Sequence, residues 1–91
     1  MKAILKFEIN QINSSAMMPV GAKLLTAQGQ KDTICVWAEV DTDAPSERVP
    51  FDVFGTGRII PEGMGIDREY VGTAQIHDGD LVFHVYKYTG I

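Results

Sequence analysis

The chain has 91 residues, of which 45% are hydrophobic and 22% charged, and this composition is typical of one soluble globular domain. Twelve acidic against eight basic residues give a net charge of −4. That balance argues against general binding to nucleic acids or anionic membranes, because both depend on summed positive charge. We expect a single domain over residues 1–91 with one core.

Cysteine content and hydropathy indicate the cellular compartment in which the protein is expected. The lone Cys35 excludes an internal disulfide and a metal site built from several cysteines, so a reducing compartment is the simplest setting. The sequence shows neither a charged leader followed by an apolar stretch nor an apolar run of membrane-spanning length. We therefore expect a cytoplasmic protein that is not inserted in a membrane.

Alternation of apolar and polar residues predicts strands along most of the chain. In the strand predicted at 33–41, both faces carry bulky residues, since Ile34 and Val36 lie on one and Cys35 and Trp37 on the other. That strand is expected to be central in its sheet. The six predicted strands cover residues 2–9, 23–28, 33–41, 48–54, 70–76 and 81–88.

Residues rich in glycine, proline, asparagine and aspartate separate these strands. They predict a connection at 10–21, hairpin turns at 29–32 and 77–80, and an acidic loop at 41–47. A short extended piece is expected at 59–61. Glycine in 62–65 disfavours a helix, and a mobile loop is expected there.

No window combines helical periodicity with start and stop signals. Six strands at this spacing predict an all-β fold, a small single-domain antiparallel sandwich or barrel. The period of the strands leaves the choice between sandwich and barrel open. The apolar residues expected to share the core are Ile34, Val36, Phe51, Val53, Phe83 and Val85.

The stretch from Arg48 to Arg58 joins a regular strand to an unusual corner. Gly55 and Gly57 permit positive φ on both sides of Thr56, and successive backbone N–H groups in such a turn can form a small anion site. Arg58 would stand at its edge. These four residues are the candidate ligand-binding turn, and the competing interpretation is a tight turn without a ligand.

Five motifs follow one another along the chain: MPVGAKLL at 18–25, VWAEVD at 36–41, FGTG at 54–57, YVGT at 70–73 and VFHVY at 82–86. With these motifs the chain resembles a family of short phage and prophage proteins that is classed as a domain of unknown function. The resemblance implies a viral or prophage genome and a bacterial cytoplasm. It implies no catalytic residue, and residues 60–68 match the family least.

The sequence offers no convincing catalytic or metal constellation. Cys35, His77 and His84 could supply a thiolate and a base, but nothing beside Cys35 marks a nucleophile, and a free cysteine in a central strand usually packs as a small apolar side chain. Two aspartate pairs at 41 and 43 and at 78 and 80 have calcium-loop spacing without the remaining ligands. We predict no catalytic residue, no metal and no cofactor.

Aromatic residues form the other candidate site. His84, Tyr86 and Tyr88 share one face of the last predicted strand, where they would stack a ligand ring or pack against a partner subunit. Trp37 is expected to be exposed on its own strand and joins them as an interface or stacking residue. A two-layer sandwich of this size can cover either the outward residues of the third predicted strand or those of the last one, but not both. A partner subunit is expected to cover the other set, so a homo-oligomer is expected.

Three functions remain open. The first is a non-enzymatic binding or assembly module that acts as a homo-oligomer and for which a host protein is one candidate partner. The second is a binder that sequesters a phosphorylated nucleotide signal of host defence, with the turn at 55–58 on the phosphate and Trp37 or a tyrosine on the base. The third, ranked last, is a small hydrolase.

Overall fold

The computed structural model describes residues 1–61 and 67–89, and within them the chain is all-β with no helix. The prediction of an all-β fold is confirmed, with seven strands in place of six. The strands are β1 (Lys2–Glu8), β2 (Ser15–Pro19), β3 (Lys23–Gln30), β4 (Thr33–Asp41), β5 (Ser46–Gly55), β6 (Arg68–Ile76) and β7 (Leu81–Tyr88).

The strands form two antiparallel sheets that pack face to face as a small sandwich. The first sheet has the order β1-β4-β3 and the second the order β2-β5-β7-β6. Each sheet buries one face against the other, which is how alternating strands remove their apolar residues from water. The predicted central place of β4 is confirmed, because β4 pairs with β1 on one side and β3 on the other.

One strand was missed and several boundaries were wrong. Residues Ser15–Pro19 were predicted to be part of a connection, but they form β2, which pairs with β5 at the edge of the second sheet. Pro19 ends that strand at the edge, where a missing N–H removes no internal ladder bond. No strand covers 59–61, and the mobile loop predicted at 62–65 lies outside the described residues.

The two short hairpin turns use residues other than glycine in the left-handed region. β3 continues to Gln30, so the β3–β4 turn is only Lys31 and Asp32, with φ of 52° and 59°. Two successive positive φ values characterise a type I′ turn, whose twist matches that of the strands. The predicted turn at 77–80 is confirmed and begins with φ of 53° at His77.

The core lies between the sheets and contains the residues that the alternation predicted. Phe51 is 3% exposed, and Val36 and Val85 are fully buried. Val53 and Phe83 are half-buried and pack against this cluster. Other members of the cluster are Ile9, Ala16, Met18, Ala27, Ile34, Val49 and Ala74.

On one side of the sandwich the edge strands of the two sheets touch. A Cβ added to Gly72 of β6 would lie 2.6 Å from the backbone nitrogen of Ala27 of β3, and one added to Gly29 would overlap the carbonyl of Gln75. Glycine is required at both positions because backbone approaches backbone. The register of each of these strands also shifts nearby, after Leu24 in β3 and after Tyr70 in β6.

Candidate functional site

A cavity opens between the two sheets at one end of the sandwich, and we name it the end cleft. It has a volume of about 590 Å³. It lies where β1, β5 and β6 end and where β4 and β7 begin, so both sheets contribute to its walls. The lining residues are Ile9, Gln11, Ser14, Asp32, Ile34, Val53, Ile76, His77, Leu81 and Phe83.

The walls of the end cleft are apolar and its rim is polar. Asp32, in the β3–β4 turn, accepts a hydrogen bond from the backbone N–H of His77 at 2.9 Å through Oδ1. Its other oxygen, Oδ2, lies 3.8 Å from His77 Nδ1, and the Asp32 side chain is 61% exposed. The carboxylate therefore fixes one hairpin turn against the other and keeps an oxygen accessible at the rim.

Backbone strain is concentrated at this rim. Ser14, Asp32 and His77 line the cleft, and all three have positive φ. Residues other than glycine in this region cost free energy and persist where the surrounding structure holds them, often at binding sites. From the sequence, His77 was considered only as a possible base, and none of the three was placed at a binding site. The Lys31-Asp32 and His77-Asp78 pairs between strands are nevertheless a detectable signal of turns that meet at one end.

The predicted aromatic residues lie on the outer face of the second sheet. Asp52, Tyr86 and Tyr70 stand opposite one another on β5, β7 and β6, and the next row contains His84. Thr73, which stands opposite His84, projects from the same face as Tyr70 because the irregularity after Tyr70 shifts the alternation of β6. We name this surface the aromatic face; its members are Asp52, Phe54, Arg68, Tyr70, Thr73, His84, Tyr86 and Tyr88.

Rings and one ion pair join the three strands of the aromatic face. Tyr86 makes edge contacts with Phe54 and with Tyr70, at centroid distances of 6.0 and 5.5 Å. The guanidinium carbon of Arg68 lies 5.3 Å from the centroid of Phe54, and Arg68 Nε donates to Asp52 Oδ2 at 2.7 Å. The aromatic rings therefore contact one another edge to face, and the Arg68 guanidinium packs on the face of Phe54.

A chain of hydroxyl groups surrounds the His84 imidazole. Thr56 Oγ1 lies 2.7 Å from Nε2, and Thr73 Oγ1 lies 3.2 Å from Nδ1. The Tyr70 hydroxyl lies 2.6 Å from Thr73 Oγ1. The imidazole therefore has a hydrogen-bond partner at each nitrogen, which fixes its ring plane on the aromatic face.

The candidate turn at 55–58 differs from its prediction. Gly57 has φ of +88°, whereas Gly55 has no positive φ. The backbone N–H of Thr56 donates to Val82 O and that of Arg58 donates to Gly55 O, as in a type II turn with glycine at its third position. Two of the N–H groups that the anion site needed are thus used within the protein, while Arg58 is exposed.

The segment after this turn follows the aromatic face. Thr56 contacts His84, and the carbonyl of Pro61 accepts from the Arg68 guanidinium at 3.4 Å. Residues 56–61 therefore extend from the β5 side of the face toward the start of β6. Two contacts thus join this segment to the aromatic face, while Tyr70 stays 56% exposed.

Trp37 and Cys35 lie on the outer face of the other sheet. They alternate with the buried Val36 and Ala38 of β4, so Trp37 shares no surface with Tyr86 and Tyr88. The Lys6 side chain of β1 reaches over β4 and is hydrogen-bonded to Gln30 of β3. Lys6 stands opposite Trp37 and Gln30 stands opposite Thr33, so this bridge crosses β4 at the position of Cys35. Cys35 is 1% exposed, and its burial raises the pKa of the thiol.

The described residues contain no group of three or more metal-ligating side chains. Asp41 accepts from the backbone N–H of Asp43 at 3.0 Å, which makes that aspartate pair a local turn. The Thr56–His84 contact brings a hydroxyl to an imidazole, but Thr73 on the other nitrogen is neutral and the Thr56 and Arg58 N–H groups point elsewhere. Among the described residues, these N–H groups therefore supply no stabilising donors for an acyl transfer at that contact.

Fold and geometry together define a small β-sandwich with a polar-rimmed end cleft and an aromatic face whose side chains contact one another. Over residues 1–90 the chain belongs to the family described as Domain of unknown function (DUF7352). Comparison with curated proteins gives no match, and comparison with solved structures gives none either. In the described residues, no helix has the length and apolar character needed to cross a membrane.

Proposed function

We propose that the protein is a non-enzymatic binding module that takes an apolar or amphipathic group in the end cleft and acts as a homo-oligomer. The observation that carries the proposal is the cleft itself. Its volume of about 590 Å³ lies within the range of small-ligand sites, about 300–1,000 Å³, which combine apolar walls with a few placed polar groups. A phage or prophage origin and a bacterial cytoplasm are part of the proposal through the family resemblance.

The rim defines the chemistry of the ligand. Asp32 offers an accessible carboxylate oxygen, and Asp78 and Asp80 lie in the neighbouring β6–β7 turn. The walls offer methyl groups and the Phe83 ring. A ligand that fits carries an apolar body and a cationic or hydrogen-bond-donating end, because a carboxylate accepts hydrogen bonds and attracts positive charge.

Methyl-detected NMR titration tests the proposal. Short alkyl and benzyl amines should shift the methyl signals of Ile9, Ile34 and Leu81, which line the cleft. The methyl groups of Ile59, which is 88% exposed and does not line the cleft, serve as the control on the same spectra. Equal shifts at both sets, or none at the cleft with any of the amines, would contradict the proposal.

A matched variant separates charge from shape. Asp32→Asn keeps an oxygen that can accept from the His77 N–H, but it removes the negative charge. Amines should then bind more weakly, while alcohols of the same shape should bind equally well to both proteins. Amine binding that is unchanged in the variant would remove Asp32 from the site.

A nucleotide binder remains the second candidate, because exposed Arg58 follows Thr56, which contacts His84 on the aromatic face. Thermal unfolding with cyclic and linear nucleotides tests it, since a ligand of the native state raises the Tm. The increase should be lost in Arg58→Ala. A panel without any increase would leave the end cleft as the site.

A further inference from the structure

β1 is an outer strand of the first sheet with an open side. Within the part of the chain that the structure describes, it forms a ladder with β4 alone. Ile4 and Leu5 in the middle of it are 61% and 40% exposed. A seven-residue edge with apolar side chains and unpaired backbone groups is a template for pairing with another strand.

Hydrogen bonds to β4 show which backbone groups of β1 point outward. Ile9 N donates to Ile34 O, and Thr42 N donates to Met1 O, so the odd-numbered residues of β1 face β4. Alternate residues of a strand point their N–H and C=O groups to opposite sides. The outward groups are therefore those of Lys2, Ile4, Lys6 and Glu8.

We propose that β1 pairs with β1 of a second copy of this chain, antiparallel and with Leu5 opposite the partner's Leu5. The even-numbered residues then form the hydrogen-bonded pairs. Lys2 stands opposite the partner's Glu8, and Ile4 stands opposite the partner's Lys6. The two first sheets join into one six-stranded sheet about a two-fold axis.

The charges of β1 select this register. The outward hydrogen-bonding groups require even-numbered residues opposite even-numbered residues. A shift in one direction places Lys2 opposite the partner's Lys6, and a shift in the other places Lys6 opposite the partner's Lys6. Like charges directly opposite are destabilising and opposite charges are stabilising, so pairing about Leu5 satisfies both the backbone and the charges.

The same register covers the exposed apolar residues. Leu5, whose side chain is on the core side of β1, meets the partner's Leu5 at the axis. Ile4, on the outer side, lies against the first methylene groups of the partner's Lys6, whose ammonium group stays on Gln30 of its own chain. Pairing thus buries the two apolar side chains that the monomer leaves exposed on this strand.

This inference rests on the homo-oligomer of the proposed function and assigns its contact. Charge reversal tests it by sedimentation over a range of concentrations. Lys2→Glu and Glu8→Lys should each raise the dissociation constant about tenfold or more, because the two-fold axis applies each change twice. An equimolar mixture of the two variants should associate as the wild type does, because opposite charges then face each other again.

A backbone variant gives an independent test. Ile4→Pro removes an N–H that points away from β4, so the fold should be kept, as circular dichroism will show, while association should be lost. Tyr70→Ala, on the exposed aromatic face, is the matched control and should leave association unchanged. Loss of association in Tyr70→Ala but not in Ile4→Pro would place the contact on the aromatic face and overturn this inference.

The remaining outcomes separate the two proposals. A wild-type protein that stays at 10.0 kDa at every concentration overturns both the homo-oligomer and its contact, while binding in the end cleft is measured separately. An oligomer that resists both charge reversals and Ile4→Pro overturns only the β1 contact.

Discussion

Arg68 and Asp52 are joined across an intervening strand. Arg68 belongs to β6 and Asp52 to β5, with β7 between them, yet Nε and Oδ2 are 2.7 Å apart and the side chains are only 15% and 31% exposed. The pair passes beside Tyr86 and orients the guanidinium toward Phe54. It therefore ties together the three strands that carry the aromatic face.

Breaking this pair should destabilise the fold measurably. Asp52→Asn should lower the free energy of unfolding by about 1–3 kcal/mol, because the hydrogen bond involves two charged groups and is largely shielded from water. Urea denaturation measures the change. Glu39→Gln is the control, since Lys2 and Glu39 form an exposed pair at 3.7 Å that should contribute about 0–1 kcal/mol. Equal effects of the two substitutions would contradict the assignment.

Phe51 should be one of the costliest positions to truncate. Its side chain is 3% exposed within the core cluster, and Phe51→Ala should cost about 3–5 kcal/mol through lost transfer free energy and the cavity left behind. The same denaturation experiment measures it. Ile59→Ala removes apolar atoms from a residue that is 88% exposed and should leave the midpoint unchanged. An unchanged midpoint for Phe51→Ala would mean that the side chain is not in the core.

The sequence predicted the strands that alternate and missed the one that does not. β2 is five residues long, contains Met17 and Met18 side by side and ends in Pro19, and such a segment looks like a connection until its edge position is known. Alternation also predicted the face of Phe51 correctly, because one face of that strand must be buried.

Contacts between strands that are distant along the chain could not be predicted in this way. Asp52 and Arg68 meet only because β7 separates β5 from β6, and strand order is not encoded in the period of a single strand. The end cleft depends on the same order, since Asp32 and His77 come from turns in different sheets. The register shift after Tyr70 depends on sheet geometry too, and without it Thr73 would face the core.

Gly72 should not tolerate a side chain. A Cβ there would lie 2.6 Å from Ala27 N and 2.9 Å from Ala27 O, and backbone atoms cannot rotate away. Gly72→Ala should cost about 1–3 kcal/mol as an overpacking change. In contrast, a Cβ at Gly55 meets only the Phe83 ring, at 3.8 Å, so Gly55→Ala should be neutral or stabilise by up to about 1 kcal/mol. Thermal unfolding of both variants measures this: the Tm should fall in Gly72→Ala and should stay the same or rise in Gly55→Ala.

Cys35 should be unreactive in the native state. The thiol is buried, desolvation raises its pKa, and the thiolate is the reactive form. A disulfide reagent should label it slowly at neutral pH and fully in denaturant. Gln30→Ala, which releases Lys6 from its bridge over β4, should increase the native rate. Fast labelling of the folded wild type would show that the thiol is open to solvent.

Asp41 should contribute a pH-dependent increment of stability. The backbone N–H of Asp43 lowers the pKa of this carboxyl from 3.8. Because the folded-state pKa is lower than the unfolded one, the contribution is fully present above pH 3.8 and is lost as the pH falls through the folded value. Asp41→Asn should therefore lower the Tm at neutral pH and match the wild type in strong acid. A Tm difference between Asp41→Asn and the wild type that persists in strong acid would mean that the effect does not come from the charge of the carboxylate.

The contact between β3 and β6 also affects the time course of folding. Ala27 and Gly72 are far apart along the chain, so bringing them together costs loop-closure entropy that no short turn offsets. The β3–β4 and β6–β7 hairpins have short turns and should form earlier. Crowding at Gly72 should then accelerate unfolding and leave the folding rate almost unchanged, so this contact determines how long the native state lasts rather than how fast it is reached.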